Sequence, residues 1–94
     1  MIRNIRHKGL RRLYERDDCS RVPAAFADRL RDILAHLDVA QLPEDMDQLG
    51  YRLHRLSGDR REYWSVTVSR NWRVTFRFTE DGGDVADVEF EDYH

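Results

Sequence analysis

The stretch that most constrains the fold of this chain runs from residue 62 to residue 78, EYWSVTVSRNWRVTFRF. Apolar and polar residues alternate on both sides of Arg70-Asn71, and the apolar positions hold β-branched and aromatic residues. This pattern predicts two half-buried antiparallel strands joined by a hairpin turn. Two-residue hairpin turns favour residues that tolerate a positive φ. Asn71 suits such a turn and Arg70 does not, so we expect the turn to be longer or mildly strained.

The predicted hairpin has an apolar and a polar face. The residues expected on the core side, with the two tryptophans as anchors, are Trp64, Val66, Val68, Trp72, Val74, Phe76 and Phe78. Those expected on the solvent side are Ser65, Thr67, Arg73, Thr75 and Arg77. Arginine binds phosphate with a planar fork of donors, so this second face suits a polyanion.

Two helices and further strands are predicted around the hairpin. The predicted elements are an edge strand at 2–6, helices at 7–16 and from 23 to 39 or 40, and strands at 51–56 and 85–90. Leu10, Leu13 and Tyr14 share a stripe in the first helix. The second helix has the more regular stripe, formed by Phe26, Leu30, Ile33, Leu34 and Leu37. This order predicts an α+β fold, with two helices packed on one face of a small, mainly antiparallel sheet, in a single domain of residues 1–94.

Composition indicates a cytoplasmic protein. The 94 residues are 40% hydrophobic and 36% charged, and no apolar run approaches the roughly 20 residues that span a bilayer. No secretion signal is recognisable at the N-terminus. The single Cys19 has no partner for a disulfide, and neither cysteine nor the histidines show metal-ligand spacing. We therefore expect no metal site and no cofactor.

The net charge of −2 hides an uneven distribution. Of the 16 basic residues 15 are arginines, and seven of these lie between residues 52 and 77. Residues 80–92 carry only acids among their charged side chains. A basic surface beside an acidic one is therefore expected. The simpler interpretation, solvated arginines and cross-strand pairs of Arg73 and Arg77 with those acids, stays open.

Three blocks resemble a known family. They are GYRLHRLSGD at 50–59, WSVTVSRNWRVTF at 64–76 and EDYH at 91–94, and Lys8-Gly9-Leu10 and residues 43–46 are similar too. Together they resemble the HigB type of toxin in the RelE superfamily, over nearly the whole chain. The resemblance implies a microbial-ribonuclease-like fold and a ribosome-dependent mRNA endonuclease that a helix-turn-helix antitoxin neutralises. It implies contact with DNA only through the antitoxin complex, and no membrane partner.

The resemblance also implies a site. The residues expected to be catalytic are His54, Arg73, Asp92, Tyr93 and His94, and those expected to contact RNA are Ser57, Arg70, Asn71 and Arg77. Metal-free cleavage by attack of a 2′-hydroxyl needs a base, an acid and a cation for the phosphorane. Histidine titrates near neutral pH and arginine stays charged, so His54 and His94 are assigned to proton transfer and Arg73 to the phosphate.

The sequence departs from the family at three positions. Ser57 stands where lysine is usual, Arg70 where glycine precedes the asparagine of the hairpin, and Glu62 where glycine precedes the first tryptophan. Arg55, Arg60 or Arg70 could replace the charge of the lysine.

Two other functions remain open. One is a non-enzymatic antitoxin-binding or DNA-co-binding module that has lost its activity. The other is a toxin of the same fold that acts on a different target, such as a topoisomerase. Without the resemblance, His54 would be taken as a surface residue and the last three residues as a frayed tail.

Overall fold

The structure is a computed structural model that describes residues 1–80 and 83–92. Its helices are α1, Lys8–Arg16, and α2, Ala27–Val39, and its strands are β1, His54–Arg55, β2, Tyr63–Thr67, β3, Trp72–Phe78, and β4, Val85–Asp92. The strands form one antiparallel sheet in the order β1-β2-β3-β4. The predicted α+β fold is confirmed. None of the helices in the described part of the chain is long and apolar enough to cross a membrane.

One hydrophobic cluster joins the helices to the sheet. Its fully buried members include Leu10, Leu30, Ile33, Leu37, Val66, Val74, Phe76 and Val88. The predicted apolar stripes are confirmed except at Tyr14, which is exposed and donates a hydrogen bond of 2.6 Å to Asp38. This bond raises the pKa of Tyr14 to about 12. The two tryptophans are only partly buried, and Trp72 stacks on Phe90 at 4.7 Å between ring centroids.

The helix starts are set by local contacts. His7 caps α1, because its Nδ1 accepts a hydrogen bond of 3.0 Å from the backbone N–H of Leu10. The second helix begins later than predicted. Pro23 precedes a 3-10 turn at Ala24–Phe26, and the α-helical hydrogen bonding starts only at Ala27.

The predicted strand at 51–56 is wrong for most of its length, since β1 contains only His54–Arg55. Gly50 and Arg52 both have positive φ, 86° and 51°, so the chain turns on either side of Tyr51. Tyr51 is buried, and its carbonyl oxygen accepts a hydrogen bond of 2.7 Å from the N–H of Thr67. Arg29 secures the turn by donating to the carbonyl oxygens of Gly50 and Thr67. The alternation in this segment therefore does not reflect strand geometry.

The hairpin turn takes the longer of the two expected forms. The backbone N–H groups of Val68 and Ser69 both donate to the carbonyl oxygen of Trp72, at 2.9 and 3.1 Å. Val68 and Ser69 on one strand thus lie opposite the single residue Trp72 on the other, which is a β-bulge. Arg70 and Asn71 lie beyond it, and neither has a positive φ. The extra residue removes the need for a left-handed residue at the tip.

A second bulge lies in β4 at Asp87, which has a φ of 53° and shifts the register against β3 between Thr75 and Arg77. The Asp87 carboxylate accepts hydrogen bonds from Asn4 Nδ2 at 3.0 Å, Arg6 Nε at 3.3 Å and Arg77 Nε at 2.6 Å. Residues 1–6 run parallel to β4 and bridge to it at Ile2 and Ile5. Asp87 therefore fixes this predicted edge segment to the sheet.

These contacts make Asp87 a source of pH-dependent stability. Hydrogen bonds from Asn4 and Arg77 lower the pKa of the Asp87 carboxyl from 3.8 to about 2. Because the folded-state pKa is depressed, the contribution is complete above pH 3.8 and is lost as the pH falls towards 2. We expect Asp87→Asn to lower the free energy of unfolding by about 2 kcal/mol at neutral pH.

Urea titrations of the wild type and of Asp87→Asn between neutral pH and pH 2 measure the contribution of the Asp87 charge to the free energy of unfolding. Asparagine tolerates the left-handed conformation of this position, so the substitution isolates the charge. The difference between the two proteins should shrink as the pH falls below 3.8. A difference that does not change with pH would show that the Asp87 charge has no such role.

Candidate active site

The polar face of the sheet is built from two cross-strand rows. His54 pairs with Ser65, Ser65 with Thr75 and Thr75 with Glu89. In the next row Arg73 lies between Thr67 and Glu91. The antiparallel pairing thus places a histidine, an arginine and two acids on the face opposite the core.

Ser65 and Thr75 do not present their hydroxyls to solvent as predicted. Their exposed fractions are 4% and 0%. Arg60 and Glu91 reach the Thr75 hydroxyl, which donates a short hydrogen bond to Glu91 Oε2 and lies 3.4 Å from Arg60 Nη2. Long charged side chains therefore cover the middle of this face, and the accessible groups lie at the end of the sheet where β1 is found.

His54 is exposed and lies between two hollows. The first, which we call the histidine hollow, has a volume of about 260 Å³ and is lined by His54, Leu56, Ser57, Arg60 and Arg73. The second, the hairpin hollow, has a volume of about 330 Å³ and is lined by Arg52, His54, Ser65, Thr67, Ser69, Arg70 and Trp72. Each hollow combines His54 with two arginines. A polyanion that crossed both would meet cations on either side of His54.

Different elements bring the groups of the histidine hollow together. His54 comes from β1 and Arg73 from β3, two strands away. Ser57 and Arg60 belong to the connection from β1 to β2, where residues 58–60 form a 3-10 turn. Only Leu56 and Ser57 separate that turn from β1, and the Arg60 side chain reaches back over the sheet to Thr75.

Glu91 is a functional candidate that the sequence did not single out. Its carboxylate accepts hydrogen bonds of 2.9 and 2.5 Å from the two Nη atoms of Arg60, and Oε1 lies 3.9 Å from Arg73 Nη2. The hydrogen bonds from Arg60 and then from Thr75 lower the pKa of the Glu91 carboxyl, against the opposing effect of burial. Glu91 is therefore ionised at neutral pH and links both arginines of the histidine hollow. The acidic composition of residues 80–92 was the signal that could have indicated it.

The structure brings together only part of the predicted site. His54, Ser57 and Arg73 line the histidine hollow, and Arg70 lines the hairpin hollow. Asn71 is exposed at the hairpin tip and lines neither hollow. Arg77 also lies outside both hollows, and its Nε donates to the Asp87 carboxylate at 2.6 Å.

The C-terminal candidates are described only as far as Asp92. Its backbone pairs with that of Trp72, a residue of the hairpin hollow, and its side chain is exposed. Tyr93 and His94 lie outside the described residues. No group of three or more histidine, cysteine, aspartate or glutamate side chains within residues 1–80 and 83–92 is arranged to hold a metal ion.

This arrangement contains the kinds of group that bind a phosphate and transfer a proton. An imidazole can both accept and donate a proton, and the exposure of His54 on β1 lets a substrate reach it. The Arg73 guanidinium, with an exposed fraction of 19%, offers fixed donors in the same hollow. A preorganised cation beside a proton-transfer group is suited to phosphoryl chemistry, where negative charge develops on oxygen.

The chain is similar over its length to proteins of one known family. The model of the family described as the RelE-like toxin of the type II toxin–antitoxin system HigB matches residues 3–94. A relative named Endoribonuclease HigB, from Proteus vulgaris, is 45% identical over 94 residues, which cover all of this chain and all of the relative. The chain therefore belongs to the HigB family of RelE-like toxins of type II toxin–antitoxin systems.

Proposed function

We propose that this toxin is an endoribonuclease that cuts mRNA on the ribosome, by attack of the RNA's own 2′-hydroxyl and without a metal ion. The observation that carries the proposal is the histidine hollow, in which His54 and Arg73 share one opening with Arg60. The family membership and the endoribonuclease name of the Proteus vulgaris relative support it. Inhibition of translation would follow from loss of the message.

The proposed chemistry divides between histidine and arginine. The 2′-oxygen bonds to the adjacent phosphorus, the bond to the 5′-oxygen of the next nucleotide breaks, and one proton leaves the 2′-oxygen while another joins the 5′-oxygen. His54 performs one of these transfers, since imidazole exchanges protons near neutral pH. Arg73 binds the non-bridging oxygens, where charge accumulates.

The C-terminal residues complete the proposed site. We assign the second proton transfer to His94, stacking or proton donation to Tyr93, and orientation of a histidine to Asp92. In the hairpin hollow, Arg70 contacts the RNA next to the cleaved bond, and Asn71 does so at the hairpin tip. Ser57 offers a hydroxyl in the histidine hollow. Arg77, which is bound to Asp87, contributes only if RNA extends along the sheet beyond both hollows.

The proposed partners follow from the family. A toxin of a type II system has an antitoxin, and we propose that this antitoxin is a helix-turn-helix protein that binds DNA while it holds the toxin. The ribosome and its mRNA are the targets, which places the activity in the cytoplasm. The ribosome would supply much of the positioning of the RNA, because so small a chain has little surface for it.

Cleavage of translated mRNA by the purified toxin tests this function. We expect cuts in an mRNA that is being read by ribosomes, and at most weak cutting of the same mRNA alone or without its start codon. Deleting Tyr93 and His94 should abolish the cuts while thermal stability stays nearly unchanged. Equal cutting of free and translated mRNA would contradict the role of the ribosome. Full activity of the deletion variant would contradict the assignment of the tail.

A further inference from the structure

The histidine hollow contains a second arginine, Arg60, whose position is fixed from several sides. Its Nη1 and Nη2 donate to the two carboxylate oxygens of Glu91 at 2.9 and 2.5 Å. Nη2 also lies 3.4 Å from the Thr75 hydroxyl, and the guanidinium carbon lies 5.3 Å from the centroid of the Tyr63 ring. These contacts hold the guanidinium in one orientation. A flexible arginine loses side-chain entropy when it binds a ligand. The Arg60 side chain is already ordered in the folded protein, so this loss on binding is small.

Arg60 nevertheless remains open to a ligand. Its side chain has an exposed fraction of 41%, and it lines the same hollow as His54 and Arg73. An arginine has five N–H donors, and the contacts with Glu91 and Thr75 use three of them. Within residues 1–80 and 83–92 two donors are left, the Nε–H and one N–H of Nη1, and these are enough for a phosphate oxygen.

The neighbouring arginines differ from Arg60 in their placement. Arg55 donates from Nε to the carbonyl oxygen of Arg61 at 2.7 Å, and its guanidinium lies over the Trp64 ring at 5.7 Å. It lines neither the histidine hollow nor the hairpin hollow. Arg70 lies in the hairpin hollow, on the other side of His54. Among these three, Arg60 alone shares the hollow of His54 and Arg73.

We propose that Arg60 is a second phosphate-binding residue of the active site, and that Glu91 is the positioning residue that holds it there. This proposal rests on the proposed function. Arg60 contacts a non-bridging oxygen of the phosphate that is cleaved, through the Nε–H or Nη1–H donor that Glu91 and Thr75 do not use. Glu91 also lies 3.9 Å from Arg73, so one carboxylate offsets the repulsion between two guanidinium groups that face the same phosphate.

Single-turnover cleavage of translated mRNA by a set of variants tests the proposal. Arg60→Gln should cleave about ten- to a hundredfold more slowly than the wild type, the range for one charged hydrogen bond. Arg60→Lys should cleave faster than Arg60→Gln, because lysine keeps the charge. Arg55→Gln is the matched control and should cleave at the wild-type rate, because Arg55 lies outside both hollows.

The dependence of binding on monovalent salt gives a readout that a purely structural role would not change. Arg60→Gln should lose one phosphate contact. A plot of the logarithm of its affinity for translated mRNA against the logarithm of the salt concentration should therefore have a slope smaller by about 1 than that of the wild type. This slope is measured over a range of salt in which the ribosomes stay intact. An unchanged slope would contradict a contact between Arg60 and phosphate.

The double variant Arg60→Gln/Glu91→Gln separates binding from charge balance. If Arg60 binds phosphate and Glu91 acts through it, the double variant should be about as slow as Arg60→Gln. Restored wild-type cleavage in the double variant would show that Arg60 serves only to neutralise Glu91. Arg60→Gln at the wild-type rate would also overturn the proposal. The proposal would also be overturned if Arg60→Gln and Arg60→Lys lost cleavage rate to the same extent and thermal stability to the same extent.

Failure of the inference can be told from failure of the proposed function. If the wild type does not cut translated mRNA, the function itself is wrong. If the wild type cuts it and Arg60→Gln cuts it equally well, only the role of Arg60 is wrong.

Discussion

Replacing Arg73 with alanine should slow cleavage of ribosome-bound mRNA by about a hundred- to a thousandfold, with the protein still folded. A preorganised donor aimed at charge that develops in the transition state is worth roughly 2.7–4 kcal/mol, by analogy with deletions in oxyanion holes. Arg73 meets the conditions for such a donor. It lies on the interior strand β3, it is mostly buried, and it lines the hollow that contains His54.

The loss should appear in the chemical step. Single-turnover rates at saturating toxin would therefore fall, whereas a residue that only binds RNA would mainly change the concentration needed for saturation. Folding should survive because Glu91 keeps its two hydrogen bonds from Arg60. Arg31→Ala is a suitable control, since Arg31 lies on α2 and pairs with Asp17 and Asp28. An Arg73→Ala rate within tenfold of the wild type would remove Arg73 from the proposed chemistry.

The alternating pattern at 62–78 predicted the sheet well because both strands have one apolar face that packs in the core. Val66, Val74 and Phe76 are buried as expected, and each pairs across the hairpin or lies in register with β4. The same reasoning failed at residues 51–56. There the positive φ of Arg52 interrupts the strand, and a non-glycine residue in that conformation leaves no pattern in the sequence.

For the candidate site, the sequence indicated residues that belong to local motifs but not the contacts that depend on the register of the strands. His54 and Arg73 belong to motifs, and the strand order brings them into one hollow. The pairing of Arg77 with Asp87 involves the bulge in β4, which no composition rule indicates.

The pairing of Arg60 with Glu91 joins residues 31 positions apart. It requires both the 3-10 turn at Gly58–Arg60 and the register of β4. The sequence suggested three arginines that could carry the charge that Ser57 lacks. In the structure Arg60 lines the histidine hollow, and the contacts of Arg55 and the location of Arg70 set those two apart from it.

A single 2′-deoxy nucleotide on the upstream side of the cleaved bond should block cleavage completely. In the proposed mechanism the 2′-oxygen of that nucleotide is the nucleophile, so its removal leaves nothing to attack the phosphorus. The same substitution one codon upstream should leave cleavage intact, which controls for any effect on decoding. Cleavage of the deoxy substrate at the original site would show that water or a side chain is the nucleophile.

The chemical ends of the two mRNA fragments test the central claim most directly. Attack by the 2′-hydroxyl leaves a 2′,3′-cyclic phosphate, or its hydrolysis product, on the upstream fragment and a 5′-hydroxyl on the downstream fragment. Attack by a water molecule that expels the 3′-oxygen would leave a 5′-phosphate. Mass spectrometry of the fragments from translated mRNA distinguishes the two. We predict a 5′-hydroxyl on the downstream fragment, and a 5′-phosphate there would contradict the mechanism.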